Sequence, residues 1–334
     1  MSLLSRTLIG VGLSALLIAS AHAETVLRLS TQMPPGHHSV KALEAFKAEV
    51  KDKTAGAVVI QIHPSGSLFK GPELPMAVGS GAIEMGDMVT PYIAPIYPEL
   101  ELLDGPFMVD SPELAKKLFS EDLAGPLNAR FDRLGMKIVA MHPYGYFSMY
   151  GTNVHPIEKP EDMKGLTIRA LEKTQILKAQ AVGAKPEAIP GSEQFVAYQK
   201  GTVSIGQTGP SSFVSRKLYE MFKYGTIVRD DLMVFFLAIN KKTWNKLTPE
   251  QQAIVETAGA NLSKTSWAAM EAEERQADEF LPKHMKVIIS TGENKKAWQK
   301  VYAPINETLA KDAGSAGQEI YKIIQDARTK LGVN

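Results

Sequence analysis

The chain has 334 residues, of which 44% are hydrophobic and 22% are charged, and its formal net charge at pH 7 is +1. That length suffices for two folded lobes, and the near-neutral charge argues against a nucleic-acid binder or a strongly basic membrane binder. The chain contains no cysteine, which excludes disulfides and thiolate chemistry.

Residues 1–23 have the features of a secretory signal peptide. Arg6 supplies a positive start, an apolar run covers 8–19, and Ala-His-Ala at 21–23 is a small-x-small cleavage site. The apolar run is shorter than the ~18–20 residues that a membrane span needs. We therefore expect a mature chain that begins at Glu24. Export without disulfides fits a bacterial periplasm, where a large core stabilises the fold.

The first part of the mature chain alternates strand and helix patterns. Strands are predicted at 26–31, 58–62 and 82–89. Between them lie a helix capped by Ser39 and a second helix at 74–78. This β-α-β-α-β order is typical of a parallel sheet with helices on its faces, so the fold class is α/β.

Ligands of parallel sheets bind at the carboxyl ends of the strands, which makes residues that follow these strands candidate ligand contacts. By this rule the candidates are Gln32, Ser65 and the stretch 88–92, which includes Tyr92. Prolines at 91, 95 and 98 predict an ordered loop after this stretch rather than a helix.

Helices at 112–119 and 126–134 and a strand at 137–141 come next. The strand leads into a dense aromatic group that consists of Tyr144, Tyr146, Phe147 and Tyr150. Aromatic residues this dense usually belong to a core, although after a strand one or two of them can line a cleft.

The stretch 159–169 contains the strongest single candidate for a binding residue. Pro160 and Gly165 bracket one helical turn, a strand begins at 166–168, and Arg169 is its first charged residue. A guanidinium at the mouth of a strand can match a carboxylate with two parallel hydrogen bonds. On spacing alone, a surface arginine that happens to follow a strand is the more common interpretation.

The remaining elements include two helices, at 173–182 and around Phe195 and Tyr198, and a strand that ends near Gln207. The polar segment 208–212 follows that strand and places Thr208 at its end. A later strand at 232–240 contains Phe235 and Phe236. A capped helix from Thr248 to about Leu281 would be ~50 Å long and is predicted to brace two lobes. A strand at 286–289 and two short helices close the chain.

Motifs for catalysis, cofactor binding and metal binding are missing from the sequence. There is no phosphate-binding glycine loop, no His-Glu-x-x-His and no Gly-x-Ser-x-Gly. His37 and His38 are adjacent, so they are poor joint metal ligands, and surface positions are expected. Glu99 and Glu101 are placed in a solvated loop, which argues against a paired-carboxylate hydrolase. We predict no cofactor, no metal and no catalytic residue.

The mature chain resembles the extracytoplasmic solute receptors of tripartite ATP-independent periplasmic (TRAP) transporters, the DctP-type family. The resemblance is carried in order by seven segments: 27–46, 64–68, 81–86, 97–107, 153–169, 197–203, and 238–240 with Trp244 and 247–252. It implies two α/β lobes joined by crossing strands and a long helix. Residues 24–147 with about 232–255 would form lobe I, and 148–231 with about 256–334 lobe II.

The family resemblance also implies a ligand and partners. The arginine after Lys-Gly-Leu-x-Ile, here Arg169, would make a bidentate salt bridge to the carboxylate of a small organic acid. A small and a large membrane subunit would then take up the acid. Two alternatives stay open: a receptor of another importer class for an organic anion (a dicarboxylate or a sulfonate), and, less favoured, an exported α/β enzyme or sensor module.

Several family positions carry different residues here. A second arginine of some members falls on Ser148, a loop asparagine on Thr208, a loop aspartate on Ser204, a pocket carboxylate near Val89, and a stacking aromatic on Gly191. The sequence therefore predicts one fixed positive charge and a monocarboxylate ligand with an apolar or aromatic body. The predicted ligand-binding residues are Arg169, Thr208, Gln32, Ser148, Tyr146, Tyr150, Tyr92, Gln207 and Phe235, with Phe236 beside them.

Overall fold

Two mixed β-sheets organise the chain in the computed structural model, which describes residues 24–333. The predicted signal peptide lies outside the described residues. The first sheet has the order β2-β1-β3-β10-β4 and the second the order β11-β9-β5-β8-β6-β7. The predicted α/β, two-lobed class with a long helix is confirmed.

The strands of the first sheet follow the predicted rhythm and add one long crossing strand. Their bounds are β1 (Thr25–Thr31), β2 (Val58–His63), β3 (Met85–Val89), β4 (Met136–Tyr146) and β10 (Leu232–Asn240). β1 pairs in parallel with β2 and β3, as predicted, whereas β10 runs antiparallel between β3 and β4. Every residue of β10 is buried, since the strand has neighbours on both edges and helices on both faces.

The second sheet is built from shorter strands that come later in the chain. They are β5 (Met149–Thr152), β6 (Thr167–Ala170), β7 (Lys185–Ala188), β8 (Ile205–Thr208), β9 (Tyr224–Ile227) and β11 (Lys286–Ile289). β6 runs parallel to β7 and β8, and β5 runs antiparallel to β8 and β9. The short β5 follows β4 almost directly, so the chain passes from one sheet to the other near residue 147.

Twelve α-helices cover the sheets. They are α1 (His38–Lys53), α2 (Leu74–Ser80), α3 (Thr90–Ile93), α4 (Pro112–Lys117), α5 (Ala124–Arg133), α6 (Lys173–Ala181), α7 (Gln194–Gln199), α8 (Pro210–Ser215), α9 (Lys241–Trp244), α10 (Pro249–Phe280), α11 (Gly292–Asp312) and α12 (Gly314–Leu331) within the described residues. In α1 the predicted face of Leu43, Phe46 and Val50 is buried.

The long helix α10 has 32 residues and would span about 48 Å. It begins as predicted at a capping box, in which Thr248 accepts from the Gln251 backbone N–H and the Gln251 side chain accepts from the Thr248 N–H. It packs against α1 and β4 beside the first sheet and against α8 beside the second. No helix in the part of the chain that the structure describes is long and apolar enough to cross a bilayer.

Three expectations about local structure are wrong. The prolines at 91 and 98 begin α3 and a 3₁₀ helix, Pro98–Asp104, because proline is compatible with a first helical turn. The cap of α1 is His37 rather than Ser39. The last two helices have 21 and 18 residues and are not short, because burial of Trp298 and Tyr302 holds α11 together despite an internal proline.

Glu99 and Glu101 are buried rather than solvated. Glu99 forms an ion pair with Arg130 at 2.7 Å, and Glu101 accepts hydrogen bonds from the backbone N–H and the hydroxyl of Thr174. Each carboxylate is therefore held by a structural partner, as buried charges require. Glu101 connects the Pro98–Asp104 helix to α6, against which α11 also packs.

The predicted lobe boundaries, 24–147 with about 232–255 and 148–231 with about 256–334, stay a prediction. Strand membership in the two sheets supports it, because β10 returns to the first sheet. The carboxyl-terminal helices α11 and α12 also pack against residues 98–104, so they contact both predicted lobes.

A buried ion pair lies where the two sheets meet. Lys178 of α6 is 2% exposed and lies 2.7 Å from Asp230 and 3.4 Å from Asp231, in the turn between β9 and β10. Removing one partner of such a group leaves an uncompensated buried charge.

We predict that Lys178→Met lowers the free energy of unfolding by about 3–5 kcal/mol at pH 8, where both aspartates lose their cation. Urea denaturation followed by circular dichroism measures the change. The matched control is Lys296→Met, which removes an exposed pair with Glu293 and should cost less than about 0.5 kcal/mol. Equal effects of the two substitutions would contradict this interpretation.

Candidate functional site

A cavity lies between the two sheets, and strand ends supply much of its wall. Its volume is small, about 20 Å³. Its lining residues are Gln32, Met33, Val89, Pro91, Tyr144, Phe147, Arg169, Leu171, Gln175, Gly191, Gln194, Thr208, Ser212, Arg216 and Met233. A wider groove beside Met141 and Trp267 is more open and has no arginine in its wall.

Arg169, in β6, is 1% exposed. Its Nε donates to the carbonyl oxygen of Ile189 and its Nη1 to that of Gln207, both at 2.8 Å. The guanidinium carbon lies 5.6 Å from the centroid of the Phe147 ring. Across residues 24–333, no carboxylate oxygen lies within 4.0 Å of this guanidinium. The side chain is therefore fixed in direction, and it forms no salt bridge with the described residues.

Arg216, directly after α8, brings a second guanidinium to the same cavity. Its Nη2 donates to the carbonyl oxygen of Gln32 at 3.0 Å and contacts the sulfur of Met33 at 3.5 Å. Its Nε is buried and has no hydrogen-bond partner among the described residues. Burial lowers the pKa of Arg216, and the nearby charge of Arg169 adds to this. The expectation of one fixed positive charge is wrong, because the structure places two arginines in the wall.

The Tyr144 hydroxyl connects the two sides of the cavity. It lies 2.9 Å from the Thr208 hydroxyl, donates to the Ser212 hydroxyl at 2.8 Å, and accepts from the Gly209 N–H at 3.0 Å. Tyr144 is at the end of β4, whereas its three partners belong to β8 and the start of α8. These bonds hold the ends of β4 and β8 together around the cavity.

The two adjacent histidines lie behind this wall and are buried, so the expectation of surface positions is wrong. His37 Nδ1 accepts from the Ser39 N–H, and its Nε2 lies 3.3 Å from the Ser211 hydroxyl. His38 Nε2 donates to the carbonyl oxygen of Tyr144 at 2.8 Å. Burial is tolerated because each ring has polar partners, and it lowers the pKa of His38 to about 4.

Five of the predicted site residues lie at or directly behind the cavity wall. Arg169, Gln32 and Thr208 line it. Gln207 lies behind Arg169, and its carbonyl oxygen accepts a hydrogen bond from the Arg169 Nη1. Tyr92 is buried next to the wall, where its hydroxyl donates to the Gln32 side chain.

Phe235 and Phe236 occupy a deeper layer. Phe235 stacks on His142 at 5.2 Å and meets the edge of Tyr144 at 5.8 Å. Phe236 packs with Phe119 and Phe131 in the core of the first sheet. Successive residues of a strand point to opposite faces, which separates these two neighbours.

Three predicted residues lie away from the cavity. Ser148 accepts from Lys178 at 2.8 Å, and the Tyr150 hydroxyl lies 3.2 Å from that of Tyr302. Positions 148 and 150 are two apart, so both face the α6–α11 side of the second sheet. Tyr146 lies under the Arg229 guanidinium at 5.4 Å, outside the wall.

Sequence reasoning missed three residues of the wall because none of them is at a strand end. Gln175 and Gln194 lie on helices, and Arg216 directly follows α8. Arg216 could have been predicted from the sequence. It lies four residues after Ser212, and residues four apart share a helix face. The residues described contain no group of three or more His, Asp or Glu side chains that could hold a metal ion.

An arginine-lined cavity between two α/β sheets, with a long helix packed beside both, is the architecture of a two-lobed solute-binding protein. The chain belongs to the bacterial extracellular solute-binding protein family 7, the DctP family, whose model matches residues 29–312. Its members are receptors of TRAP transporters and not enzymes.

Three similar proteins illustrate the family. The C4-dicarboxylate-binding periplasmic protein DctP of Rhodobacter capsulatus is 25% identical over 94% of this chain and 96% of its own. A Bordetella pertussis solute receptor, DctP6, which binds pyroglutamic acid, is 25% identical, with a TM-score of 0.85 over 90% of this chain and all of its own. A Desulfovibrio salexigens TRAP solute-binding protein with bound orotic acid is 24% identical, with a TM-score of 0.86 over 92% of this chain and 100% of its own.

The neutral state of His38 gives a pH dependence. A buried histidine with a folded-state pKa near 4, below the unfolded value near 6.5, contributes stability that is complete above pH 6.5 and is lost as pH falls toward 4. We predict that His38→Gln loses less unfolding free energy than wild type between pH 7 and pH 4.5. Urea midpoints at both pH values measure this difference, and parallel losses would contradict the buried-neutral assignment.

Proposed function

We propose that this chain is a periplasmic TRAP receptor that captures a small organic acid by a salt bridge between Arg169 and the acid's carboxylate. The observation that carries the proposal is the buried guanidinium in the cavity wall, with no carboxylate partner in the described chain. A desolvated guanidinium is costly unless an anion meets it. The site therefore favours anions over neutral solutes of the same shape.

Orientation of the guanidinium supports a directional contact. The carbonyl oxygens of Ile189 and Gln207 accept hydrogen bonds from its Nε and Nη1. These bonds fix the plane of the guanidinium before a ligand enters. A carboxylate in that plane gains charge-assisted hydrogen bonds, which are shorter and stronger than neutral ones. A lysine would supply the charge without the planar geometry.

The rest of the wall favours a compact body. Met33, Val89, Phe147 and Met233 supply apolar surface, and Gln32, Gln175, Gln194 and Thr208 supply polar contacts. This supports the predicted apolar body, although the aromatic contacts come from Tyr144 and Phe147 rather than from Tyr146 and Tyr150. The acids bound by the similar receptors, among them pyroglutamic acid and orotic acid, are also small.

Closure follows from the position of the cavity. Its wall combines residues from both sheets, so a ligand that contacts both stabilises the closed arrangement over an open one. The closed receptor would then deliver the acid to the small and large membrane subunits. Neighbouring genes for two membrane subunits without an ATPase would favour this partner assignment over an ATP-driven importer.

We predict that Arg169→Ala weakens acid binding by about 2–5 kcal/mol, because it removes one side of a buried charge pair. The acid that co-purifies with wild type is identified by mass spectrometry and titrated by calorimetry. The matched control is Arg28→Ala, which removes a partly exposed pair with Glu84 and should leave affinity unchanged. A loss below about tenfold for Arg169→Ala would show that the anchor is misassigned.

We also predict that residues 1–23 are removed on export. The intact mass of the protein from the periplasmic fraction should correspond to a chain that begins at Glu24. The cleavage follows from the small-x-small site at 21–23. A periplasmic protein that retains those residues would contradict the signal-peptide assignment.

A further inference from the structure

We propose that Glu274 of α10 is a closure switch, neutral when the cleft is closed and ionised when it opens, so that capture of an acid takes up one proton from solution. This inference rests on the proposed function, because it assumes that a bound acid closes the cleft. It gives a task to a buried carboxyl group that neither lines the cavity nor belongs to an ion pair of the described chain.

The carboxyl group of Glu274 is buried without a partner. The residue is 5% exposed, and both side-chain oxygens lack a hydrogen bond in the part of the chain that the structure describes. A carboxylate in such surroundings is costly, whereas the neutral acid is not. Burial therefore raises the pKa of Glu274 to about 8. At neutral pH the closed arrangement holds this group protonated.

Glu274 lies against the bend where β4 leaves the first sheet. Gly145, near the end of β4, has a φ of +117°, and a Cβ atom at this position would lie 2.9 Å from the Glu274 Oε1. The pairing of β4 with β10 is irregular at the same point, between Met233 and Val234. The chain passes to the second sheet directly afterwards, near residue 147. A rotation of one sheet relative to the other must bend the chain here.

The other side of the carboxyl group belongs to α8, beside the second sheet, against which α10 packs. The hydroxyl and the N–H of Ser211 favour the ionised form of Glu274, but neither reaches hydrogen-bond geometry. The Ser211 hydroxyl lies 3.3 Å from His37 Nε2 instead. The surroundings of Glu274 therefore come from both sheets, so we infer that opening of the cleft separates them and admits water.

The charged and titratable groups that face Glu274 do not hold it ionised. Asp278, one turn further along α10, pairs at 2.5 Å with Arg229 of the crossing from β9 to β10, so their opposite effects on Glu274 largely cancel. Tyr146, at the end of β4, stays neutral because burial raises its pKa. Helix α8 has no ionisable side chain. At the start of α1, burial lowers the pKa of His37 well below its usual value and keeps it neutral.

The sign of the pH dependence follows from the two states. In an open arrangement, water around the carboxyl group restores an ordinary pKa near 4.5. Between pH 4.5 and pH 8, closing then takes up a proton, and closure becomes more favourable as the pH falls. Above pH 8 the group is ionised in both states, and closure carries the full cost of burying a carboxylate. A more acidic periplasm therefore tightens capture.

The test measures binding of pyroglutamic acid, which a similar receptor binds, by calorimetry at pH 6.0 and pH 8.5. If this acid does not bind, the acid that co-purifies with the protein replaces it. A carboxylic acid stays ionised over this range, because ordinary carboxyl pKa values are about 4. The proteins are wild type, Glu274→Gln and the control Glu271→Gln, which removes an exposed pair with Lys116 on the same helix. Thermal unfolding checks the fold of each.

Wild type should bind the acid about tenfold to seventyfold more tightly at pH 6.0 than at pH 8.5. Seventyfold is about the limit for one carboxyl group whose pKa rises from 4.5 to about 8 on closure. Glu274→Gln is uncharged at this position at every pH, so its two affinities should agree within about threefold. Calorimetry in phosphate and in Tris at pH 7 should show wild type taking up about one proton more per bound acid than Glu274→Gln. Glu271→Gln should behave as wild type.

Equal wild-type affinities at the two pH values would overturn the inference, as would a Glu274→Gln variant that keeps the wild-type pH dependence. A carboxyl group with only a structural role gives the second result, because its replacement changes affinity by the same factor at both pH values. The proposed function fails separately, if Arg169→Ala leaves binding intact or if no organic acid binds, in which case the switch falls with it. A receptor that needs Arg169 and binds equally well at both pH values refutes only the switch.

Discussion

Burying the Arg169 guanidinium costs solvation free energy that its protein contacts recover only in part. The carbonyl oxygens of Ile189 and Gln207 fix its orientation, but a neutral dipole does not balance a full charge. No carboxylate oxygen of the described chain lies within 4.0 Å of the guanidinium, so in the proposed function an entering anion supplies the counter-charge. In the proposed function, selection for organic acids is the direct consequence, and the fold holds this side chain between the two sheets.

In the proposed function, the architecture around the cavity couples ligand binding to closure. Strand β10 crosses into the first sheet, helix α10 packs beside both sheets, and the Tyr144 hydroxyl connects β4 to Thr208 and Ser212. In the proposed function, a ligand on Arg169 would add contacts across the same gap. The buried Lys178, by contrast, is already paired with Asp230 and Asp231 and belongs to the scaffold.

The sequence was informative wherever a simple rule connects position to geometry. Residues that follow parallel strands converge at one sheet edge, which is why Gln32, Arg169 and Thr208 lie together. Ser148, which the family resemblance suggested, and Tyr150, which belongs to the aromatic group after β4, lie away from the cavity, since the facing of side chains after the β4–β5 bend depends on tertiary packing. The rule did not find Arg216, because this residue follows a helix rather than a strand. The burial of His37 and His38 was not predicted, because their hydrogen-bond partners are remote in sequence.

A crystal structure of the receptor with its co-purified acid tests the central claim most directly. The account predicts a carboxylate in the cavity between the sheets, with two oxygens within hydrogen-bond distance of the Arg169 guanidinium and no water between them. An acid bound elsewhere, with Arg169 still hydrated, would contradict it.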